Sequence, residues 1–524
     1  MPIYGYTESF RVERLCKMAF KKTFVSLLLC LTMCCTALAA CGNGGEESGT
    51  ASGTASASSD AVTDAFPYQG DFGGQTVRIL TVATERHLYG EQQFVANEEL
   101  SGNVINDAVA ERNNLIEQQY GLKIEVESAQ YPSEEIKNYF LTGDAKYDLV
   151  CESVDRMVTQ ISENYYWSLD DLLNLDDPWW DQRSVDILSL DGVKHFFVSG
   201  DGMLTNVDHI YLTLFNKDLY DSHADVKAEF GDLYDMVEDG TFTLDNFYTI
   251  ARAVSVADEN GEWGIDATFG NLSHAYGATI MVNGAGLGMV EKDGEGGLTA
   301  TVGTQRGINV FQKVYDLMSN KNVTQRAELI AGQGPNPSTY GFAELEYMFV
   351  NGRGLFYNTT VSSISILKNS TSERDFEFGV LPIPKYDETQ DAYYCAVNRY
   401  QSSVLGIPTT NTDNLEATTF LMNALGYYNT HMPSGKTVMD AYYETTLKLQ
   451  ATDSDEDARM LDVIFDSAFY DLGSIFTWGT LSGLYGSVIS NDADNTLISS
   501  WQQIESAVTT AMENTLQQYR DSLT

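Results

Sequence analysis

The chain is poor in basic residues. Its 524 residues include 31 Lys and Arg against 74 Asp and Glu, which gives a formal net charge of −43. Nucleic-acid binding depends on basic side chains that neutralise phosphates, and no basic run offers a pocket for an anionic solute. The composition therefore argues against nucleic acids and anions as partners, and it favours a neutral small molecule.

Cysteine and histidine are scarce as well. Four of the seven cysteines precede residue 36, and beyond residue 41 only Cys151 and Cys395 remain. Two thiols exclude a disulfide framework; they are either both buried and free or joined in a single bridge. The six histidines are scattered without the spacing of metal ligands. We therefore predict no metal and no cofactor.

Long apolar runs are limited to one, at residues 24–38, which follows Lys21 and Lys22. The run is short for a membrane span, which needs about 20 residues. A basic segment, an apolar run and small residues before a cleavage site form a secretory signal. We predict a signal peptide over residues 1–40, with Met18 as the expected start because acidic residues precede it.

The end of this signal reads Leu38-Ala39-Ala40-Cys41. It resembles a bacterial lipobox, whose cysteine takes a diacylglycerol before the signal is removed. The resemblance implies lipidation of Cys41 and an anchor in the extracellular face of the cell membrane. An ordinary signal peptide with Cys41 left free, or a membrane helix, are the alternatives. Residues 41–66 are rich in Gly, Ser, Thr and Ala, and predict a flexible linker.

Strands and helices alternate after the linker. Strands are predicted at 77–82, 123–127 and 147–151, and helices over 103–120 and 133–141 separate them. Strand and helix spacings of this kind indicate βαβ units and a parallel sheet. The fold class is therefore predicted to be α/β.

The second half of the chain continues the mixed pattern. Gly121 is expected to end the helix before it, and Thr243 to cap the start of a later helix. Further strands are predicted at 211–216, 354–357, 378–384 and 403–408, and further helices at 305–318, 343–350, 414–426 and 497–522. Residues 258–262 and 284–288 are predicted to be turns, because they lack the full pattern of a calcium loop or a nucleotide loop.

Five stretches follow one another in an order typical of a known family: 214–219, 240–247, 349–354, 378–385 and 406–417. Together with the lipobox, they resemble the family 1 extracellular solute-binding proteins. These are the substrate-binding lipoproteins of carbohydrate ABC importers, with the maltose-binding protein as a distant relative. The resemblance covers most of residues 72–524.

The resemblance implies a two-lobed type II periplasmic-binding-protein fold, in which each lobe is a mostly parallel sheet flanked by helices and a hinge joins the lobes. It assigns 72–211 and 404–445 to lobe one, and 212–403 and 446–524 to lobe two. A monomer of this family captures a neutral carbohydrate, here expected to be an oligosaccharide, by hinge closure. It then delivers the solute to membrane permease subunits, and it is not an enzyme.

Candidate ligand contacts on lobe one come from the position of strand ends. Ligands in open α/β sheets bind beyond the carboxyl ends of strands. This rule selects Glu85 and Arg86 after the first strand, and Glu152, Asp155 and Arg156 after the third. The segments match the family cleft, except that the maltose-binding protein has an aromatic residue at the position of Glu152.

Candidate contacts on lobe two come from the resemblance. Tyr276, Tyr357 and Trp478 fall at family positions that supply aromatic platforms for the apolar faces of sugars. Trp179 and Trp180 are not included, because their setting predicts a lobe-one loop packed on the surface.

Two other classes of protein remain open on the sequence. A secreted glycoside hydrolase uses two carboxylates, but with 74 acidic residues candidate pairs are everywhere. A surface lipoprotein that binds a non-sugar solute such as a peptide would share the fold and the anchor. Only the lining of the cleft would distinguish it from a sugar-binding protein.

Overall fold

The structure, a computed structural model, describes residues 65–201, 203–369, 374–452, 454–491 and 494–522. The predicted signal peptide, the lipidation at Cys41 and nearly all of the linker lie outside these residues. The chain divides into a unit ending at Gln69 and a unit from Gly70 to Thr524. None of the helices within the described ranges is long and apolar enough to cross a membrane.

The strands are numbered in chain order. They are β1 Gln75–Val82, β2 Leu122–Ala129, β3 Leu149–Ser153, β4 Tyr211–Asn216, β5 Phe269–Ser273, β6 Val290–Lys292, β7 Leu298–Ala300, β8 Thr324–Arg326, β9 Gly354–Thr360, β10 Phe378–Leu381, β11 Cys395–Ala396, β12 Ser403–Gly406 and β13 Ala468–Phe469.

The α-helices are numbered in the same way. They are α1 Val104–Tyr120, α2 Pro132–Thr142, α3 Val154–Met157, α4 Gln182–Leu188, α5 Leu204–Val207, α6 Lys217–Ser222, α7 Ala224–Phe230, α8 Leu233–Glu238, α9 Leu244–Val254, α10 Gly277–Gly284, α11 Gln305–Met318, α12 Ala327–Ile330, α13 Phe342–Val350, α14 Ser362–Asn369, α15 Leu415–Tyr428, α16 Val438–Asp440, α17 Asp455–Asp466, α18 Leu472–Phe476, α19 Leu484–Ser490 and α20 Leu497–Asp521. A π-helix occupies Ala441–Ala451, and short 3-10 helices occupy Glu98–Leu100, Val158–Glu163 and Leu481–Gly483.

The first sheet has the strand order β12-β3-β1-β2. Its centre is β1, which runs parallel to β2 and to β3, and Ile79 lies opposite both Val126 and Leu149. The side chain of Ile79 is buried because helices cover the sheet. The edge strand β12 runs antiparallel to β3 and comes from far along the chain. We refer to this sheet and its helices as the first lobe.

The second sheet has the strand order β10-β4-β9-β5-β8. Strand β5 is parallel to β8 and β9, whereas β4 is antiparallel to β9 and β10. Half of its pairings are therefore antiparallel, so this sheet is more mixed than the resemblance implied. We refer to this sheet and its helices as the second lobe.

Local signals explain where the helices begin and end. The side chain of Asn103 accepts hydrogen bonds from the backbone of Ile105 and Asn106 at the start of α1. Gly121 ends α1 with φ +64°, a left-handed conformation that favours glycine. Thr243 caps α9 by accepting from the backbone N–H of Asn246. The predictions for Gly121 and Thr243 are confirmed.

The chain passes between the two sheets along segments that lie side by side. Ile210 forms a β-bridge with Val397, and the backbone N–H of Asn398 donates to the carbonyl of His209 at 2.9 Å. Paired crossings of this kind can act as a hinge, because few residues then absorb a change of backbone angles. The lobe boundaries given above stay a prediction.

Several smaller predictions can be compared with the structure. Cys151 and Cys395 are buried free thiols, which confirms one of the two alternatives for them. Residues 258–262 and 284–288 contain turns, as predicted. Trp179 and Trp180 are both buried, deeper than a surface loop implies, because Trp179 packs against Tyr427 of α15.

Candidate functional site

The carboxyl ends of β1 and β3 bring Arg86 and Glu152 together. Nη1 of Arg86 lies 2.7 Å from Oε1 of Glu152, and its Nη2 donates to Oγ of Ser153 at 2.7 Å. The side chain of Glu152 is 0% exposed and that of Arg86 is 9% exposed. The structure brings these two predicted residues together, although β3 begins and ends two residues later than predicted. Glu152 is therefore the second-to-last residue of the strand rather than a residue after it.

The same two nitrogens of Arg86 also bond to the backbone. They donate to the backbone carbonyls of Gln130 at 3.1 Å and Tyr400 at 3.2 Å. The guanidinium also lies 5.0 Å from the ring centroid of Tyr131. Arg86 therefore joins the first sheet to the returning crossing, and its geometry is that of a residue that positions others.

Arg156 also lies close to the ring of Tyr131. Its guanidinium carbon is 3.8 Å from the ring centroid of Tyr131, and its Nη1 is 3.5 Å from a carboxylate oxygen of Glu134. The partly exposed side chain of Arg156 thus presents a cation held over an aromatic face, an arrangement that stabilises both groups.

Asp155 lies on α3, directly after β3. Its backbone N–H donates to the carbonyl of Arg399 at 3.5 Å. Its Oδ1 is buried and has no hydrogen-bond partner within the described residues. Burial raises the pKa of the Asp155 carboxyl, while the positive charge of Arg399 acts in the opposite direction. A buried acceptor of this kind is costly unless a partner supplies a donor.

Arg399 lies just before β12, in the crossing that leads into the first sheet. It is 6% exposed and donates to the carbonyl of Ser474 in α18 and to the hydroxyl of Tyr400. Its guanidinium carbon is 4.4 Å from the ring centroid of Tyr400 and 5.9 Å from that of Tyr276. The ring of Tyr400 is 45% exposed, so it is the part of this group that an incoming molecule can reach.

Tyr276 contributes an aromatic ring from the second lobe to this group. It directly precedes α10, and its ring stacks on that of His274 with centroids 6.2 Å apart and an interplanar angle of 12°. Burial raises the pKa of the Tyr276 hydroxyl to about 12, so the hydroxyl stays a neutral donor. We name the following residues the interlobe cluster: Arg86, Glu152, Asp155, Tyr276, Arg399 and Tyr400.

The other predicted residues have different surroundings. Glu85 is exposed on the loop after β1. Tyr357 lies on β9, where its ring is 5.3 Å from that of Phe349. Trp478 stacks on Phe476 with centroids 5.0 Å apart, and its indole N–H donates to Thr515 at 2.9 Å. Tyr357 and Trp478 thus pack within the second lobe. The ligand-binding role of every predicted residue stays a prediction.

Sequence reasoning missed Tyr131, Arg399, Tyr400 and Ser474. Tyr131 follows the end of β2, so the strand-end rule would have found it if it had been applied to that strand. Arg399 and Tyr400 lie between β12 and β11, a two-residue strand that the sequence did not predict. No local signal marked them, because the crossing that carries them is positioned by pairing across the molecule.

Metal ligation has no support in the part of the chain that the structure describes. Those residues contain no group of three or more His, Cys, Asp or Glu side chains that could hold a metal ion.

The matches with known proteins agree with this architecture. Residues 97–426 match the family model described as bacterial extracellular solute-binding protein. No curated protein sequence matches the chain. An ABC substrate-binding protein from Listeria monocytogenes, solved in complex with cycloalternan, is similar with 13% identity and a TM-score of 0.51, over 84% of this chain and 98% of that one.

A second solved structure is similar to the same extent. The apo form of RafE from Streptococcus pneumoniae has 13% identity and a TM-score of 0.50, over 86% of this chain and 100% of its own. At identities this low, a structural match establishes the fold alone. These two matches confirm the prediction of a two-lobed α/β binding-protein fold. The family match extends over more than half of the chain, so the protein belongs to the bacterial extracellular solute-binding proteins.

Proposed function

We propose that this protein is the lipid-anchored solute-binding component of an ABC importer and that it captures a neutral oligosaccharide between its lobes. Family membership supports a solute-binding role and an extracellular or periplasmic location. The observation that carries the proposal is the interlobe cluster, in which residues of both lobes meet around Arg399. A ligand held there contacts both lobes only when they are closed, so binding shifts the population towards closure.

The chemistry of the cluster suits a molecule rich in hydroxyl groups. Oδ1 of Asp155 can accept a hydrogen bond, and the rings of Tyr400 and Tyr276 offer flat apolar surfaces. The net charge of −43 disfavours an anionic solute. The Listeria monocytogenes neighbour was solved in complex with cycloalternan, which supports a saccharide ligand for this chain within the proposal.

We also propose the division of the chain into lobes given by the sequence. Lobe one is 72–211 with 404–445, and lobe two is 212–403 with 446–524. The pairing of β12 with β3 supports the return of the chain to lobe one. Of the predicted contacts, Asp155, Arg156 and Tyr276 are the ones we expect to touch ligand, with Arg86 and Glu152 positioning them.

A thermal-shift screen tests the ligand. Neutral mono- and oligosaccharides are added to the purified protein, and a ligand that binds only the native state raises the melting temperature. We expect an oligosaccharide to raise the melting temperature. Asp155→Asn is expected to give a smaller rise, because an NH2 group that only donates replaces one of the two accepting oxygens. Asp316→Asn, an exposed change on α11, is the control. A shift with peptides or polyamines instead of sugars contradicts the proposal, and conversion of an oligosaccharide to products favours a hydrolase.

The anchor and the permease need a separate experiment in cells. Wild-type protein is expected to partition with membranes and to carry lipid on Cys41, whereas Cys41→Ser is expected in the soluble fraction. Crosslinking of the membrane-bound form is expected to capture permease subunits. Mass spectrometry that found an unmodified Cys41 on mature, membrane-associated protein would contradict lipidation.

A further inference from the structure

Arg112 is a fully buried cation in the first lobe. It lies on α1 and is 0% exposed. Its Nη1 donates to Oδ1 of Asn429 at 2.6 Å, and its Nη2 donates to the carbonyl of Gln93 at 3.0 Å. Nε and Nη2 also donate to Oδ1 of Asn113, at 3.0 and 2.8 Å. Each of these acceptors is neutral.

No carboxylate compensates the charge of Arg112 within the residues that the structure describes. Burial alone lowers the pKa of its guanidinium to about 9, so the group is still protonated at neutral pH. A buried charge without an opposite charge is strongly disfavoured, because the protein interior replaces the solvation that water gave it. The site therefore favours a compensating negative charge.

A small cavity lies beside this guanidinium. Its volume is about 10 Å3, and Arg112, Asn429 and Trp180 line it together with apolar side chains and two glycines. A space of this size holds a single occupant comparable to one water molecule. It is too small for a polyatomic anion such as phosphate or sulfate.

The unsatisfied polar groups around the cavity are all donors. Nε1 of Trp180 and Nδ2 of Asn429 are buried and have no hydrogen-bond partner in the described chain. Oδ1 of Asn429 already accepts from Arg112, which fixes the amide so that its N–H group is the free one. An occupant must therefore accept hydrogen bonds from an indole, an amide and a guanidinium.

We propose that this cavity binds one chloride ion, held by Arg112, Asn429 and Trp180. A chloride ion only accepts hydrogen bonds, and it supplies the negative charge that the site lacks. A water molecule would accept from two of the donors, but it leaves the charge uncompensated and needs acceptors for its own two hydrogens. The site is separate from the interlobe cluster, so it stands whether or not the protein binds a sugar.

The site would connect three parts of the first lobe. Arg112 belongs to α1, Asn429 follows the end of α15, and Trp180 precedes α4. An ion shared by these segments stabilises the packed state, since it binds the folded chain and not the unfolded one. Its expected effect is on stability rather than on solute recognition.

Crystallography with bromide identifies the occupant. The full-length protein is crystallised in sodium bromide without chloride, and data are collected at the bromine absorption edge. We expect an anomalous difference peak between Arg112, Asn429 and Trp180. Electron density at that position without an anomalous signal would show a water molecule, and it would overturn the proposal.

Thermal unfolding tests the same claim in solution. The melting temperature is measured as chloride replaces gluconate, an anion too large for the cavity, at constant ionic strength. The wild type is expected to become more stable as chloride rises. Trp180→Phe keeps an aromatic ring but removes one donor, and we expect about tenfold weaker apparent affinity for chloride.

Two arginine variants complete the test. Arg112→Met removes the charge and is expected to abolish the chloride dependence. Arg252→Met, which changes an exposed arginine on α9, is expected to keep it. If Arg112→Met does not fold, the chloride dependence of the melting temperature of Trp180→Phe tests the proposal on its own. Equal melting temperatures of the wild type in chloride and gluconate, or an unchanged chloride dependence of Trp180→Phe, would refute the proposal.

Discussion

The ion pair between Arg86 and Glu152 is a buried charge interaction at the site. Removing one partner of such a pair leaves the other charge buried and uncompensated, which costs about 3 kcal/mol. We expect Glu152→Gln to lower the free energy of unfolding by that amount in urea denaturation. The control is Asp221→Asn in the exposed pair with Lys227, where the loss should not exceed about 1 kcal/mol. Equal losses in the two variants would contradict this assignment.

His87 makes stability depend on pH. Its side chain is buried, its ring lies 5.6 Å from that of His209, and its Nδ1 has no hydrogen-bond partner in the described chain. Burial, followed by the charges of His209 and Arg86, lowers the pKa of His87 well below its usual value of 6.5. The unfolded chain therefore binds a proton more readily than the folded one, and stability falls as the pH drops below about 6.5.

The effect of His87 is isolated by comparing variants. Burial raises the pKa of Asp201 to about 6, and this acts in the opposite direction because its contribution is lost as the pH rises. Unfolding free energies of the wild type and His87→Gln are therefore measured at several pH values. We expect a smaller loss at acid pH in His87→Gln, and no such change in the exposed control His431→Gln. Parallel curves for the wild type and His87→Gln would refute the expectation.

At the scale of residues, the sequence indicates where a side chain lies when its place is set by the end of a predicted strand. Arg86 and Glu152 follow from the ends of two parallel strands that are neighbours in the sheet. Arg399 and Tyr400 could not be found in this way, because Tyr400 meets Arg86 across more than 300 positions of the chain. Their placement depends on how two lobes meet, and no local pattern encodes it.

At the scale of secondary structure, the cap of α9 offers a direct test. Thr243 accepts a hydrogen bond from the backbone N–H of Asn246, one of the groups that a helix start leaves unpaired. Thr243→Ala is expected to lower the unfolding free energy by about 1 kcal/mol, and Thr243→Ser to restore most of it. Equal stability of the alanine and serine variants would show that the cap contributes little.

The glycine ends of α1 and α2 form a matched pair. Gly121 and Gly143 have φ of +64° and +70°, so a side chain is strained at both. A Cβ on Gly121 would lie 2.9 Å from the backbone nitrogen of Gly73, whereas one on Gly143 would meet nothing within 4 Å. We expect Gly121→Ala to be the more destabilising in thermal unfolding. If the two variants lost the same stability, backbone strain alone would account for both.

The bounds of strands and helices could be predicted where a local sequence pattern determines them. The strand 211–216 and the helix 305–318 were predicted with the bounds that the structure has. The antiparallel pairings of β4 were not, because pairing direction depends on partners distant in sequence. The π-helix Ala441–Ala451 was not predicted either, because helices of this type are rare.

At the scale of the whole molecule, contacts outside the cluster join segments that the proposed division assigns to different lobes. The hydroxyl of Tyr470, after β13, donates to Oδ2 of Asp181 at 2.9 Å, and that of Tyr519 on α20 donates to the carbonyl of Leu188 at 3.0 Å. These bonds stabilise the arrangement in which the lobes meet. Under the proposed division of the chain, we expect these two bonds to favour closure independently of a ligand.

The Tyr470 contact predicts how closure affects affinity. Tyr470→Phe removes a hydrogen bond to a carboxylate, and the population of the closed form falls. We expect solute affinity to drop by about tenfold in calorimetric titration, and the radius of gyration of the free protein to rise in X-ray scattering. The control is Tyr248→Phe. The hydroxyl of Tyr248 accepts a hydrogen bond from Asn320 within the second lobe, so its loss should leave solute affinity unchanged. Unchanged affinity in Tyr470→Phe would refute the role of this contact.

The edge strand β12 has a consequence for how the protein is made. Ser403 pairs with Ser153, roughly 250 residues earlier, so the first sheet cannot be completed until most of the chain has been synthesised. Contacts between such distant residues slow folding, because the chain loses the entropy of closing a long loop before the contact can stabilise it. A newly made chain therefore stays unfolded for longer than its early βαβ segments alone would suggest. That delay suits a protein that must cross a membrane before it folds.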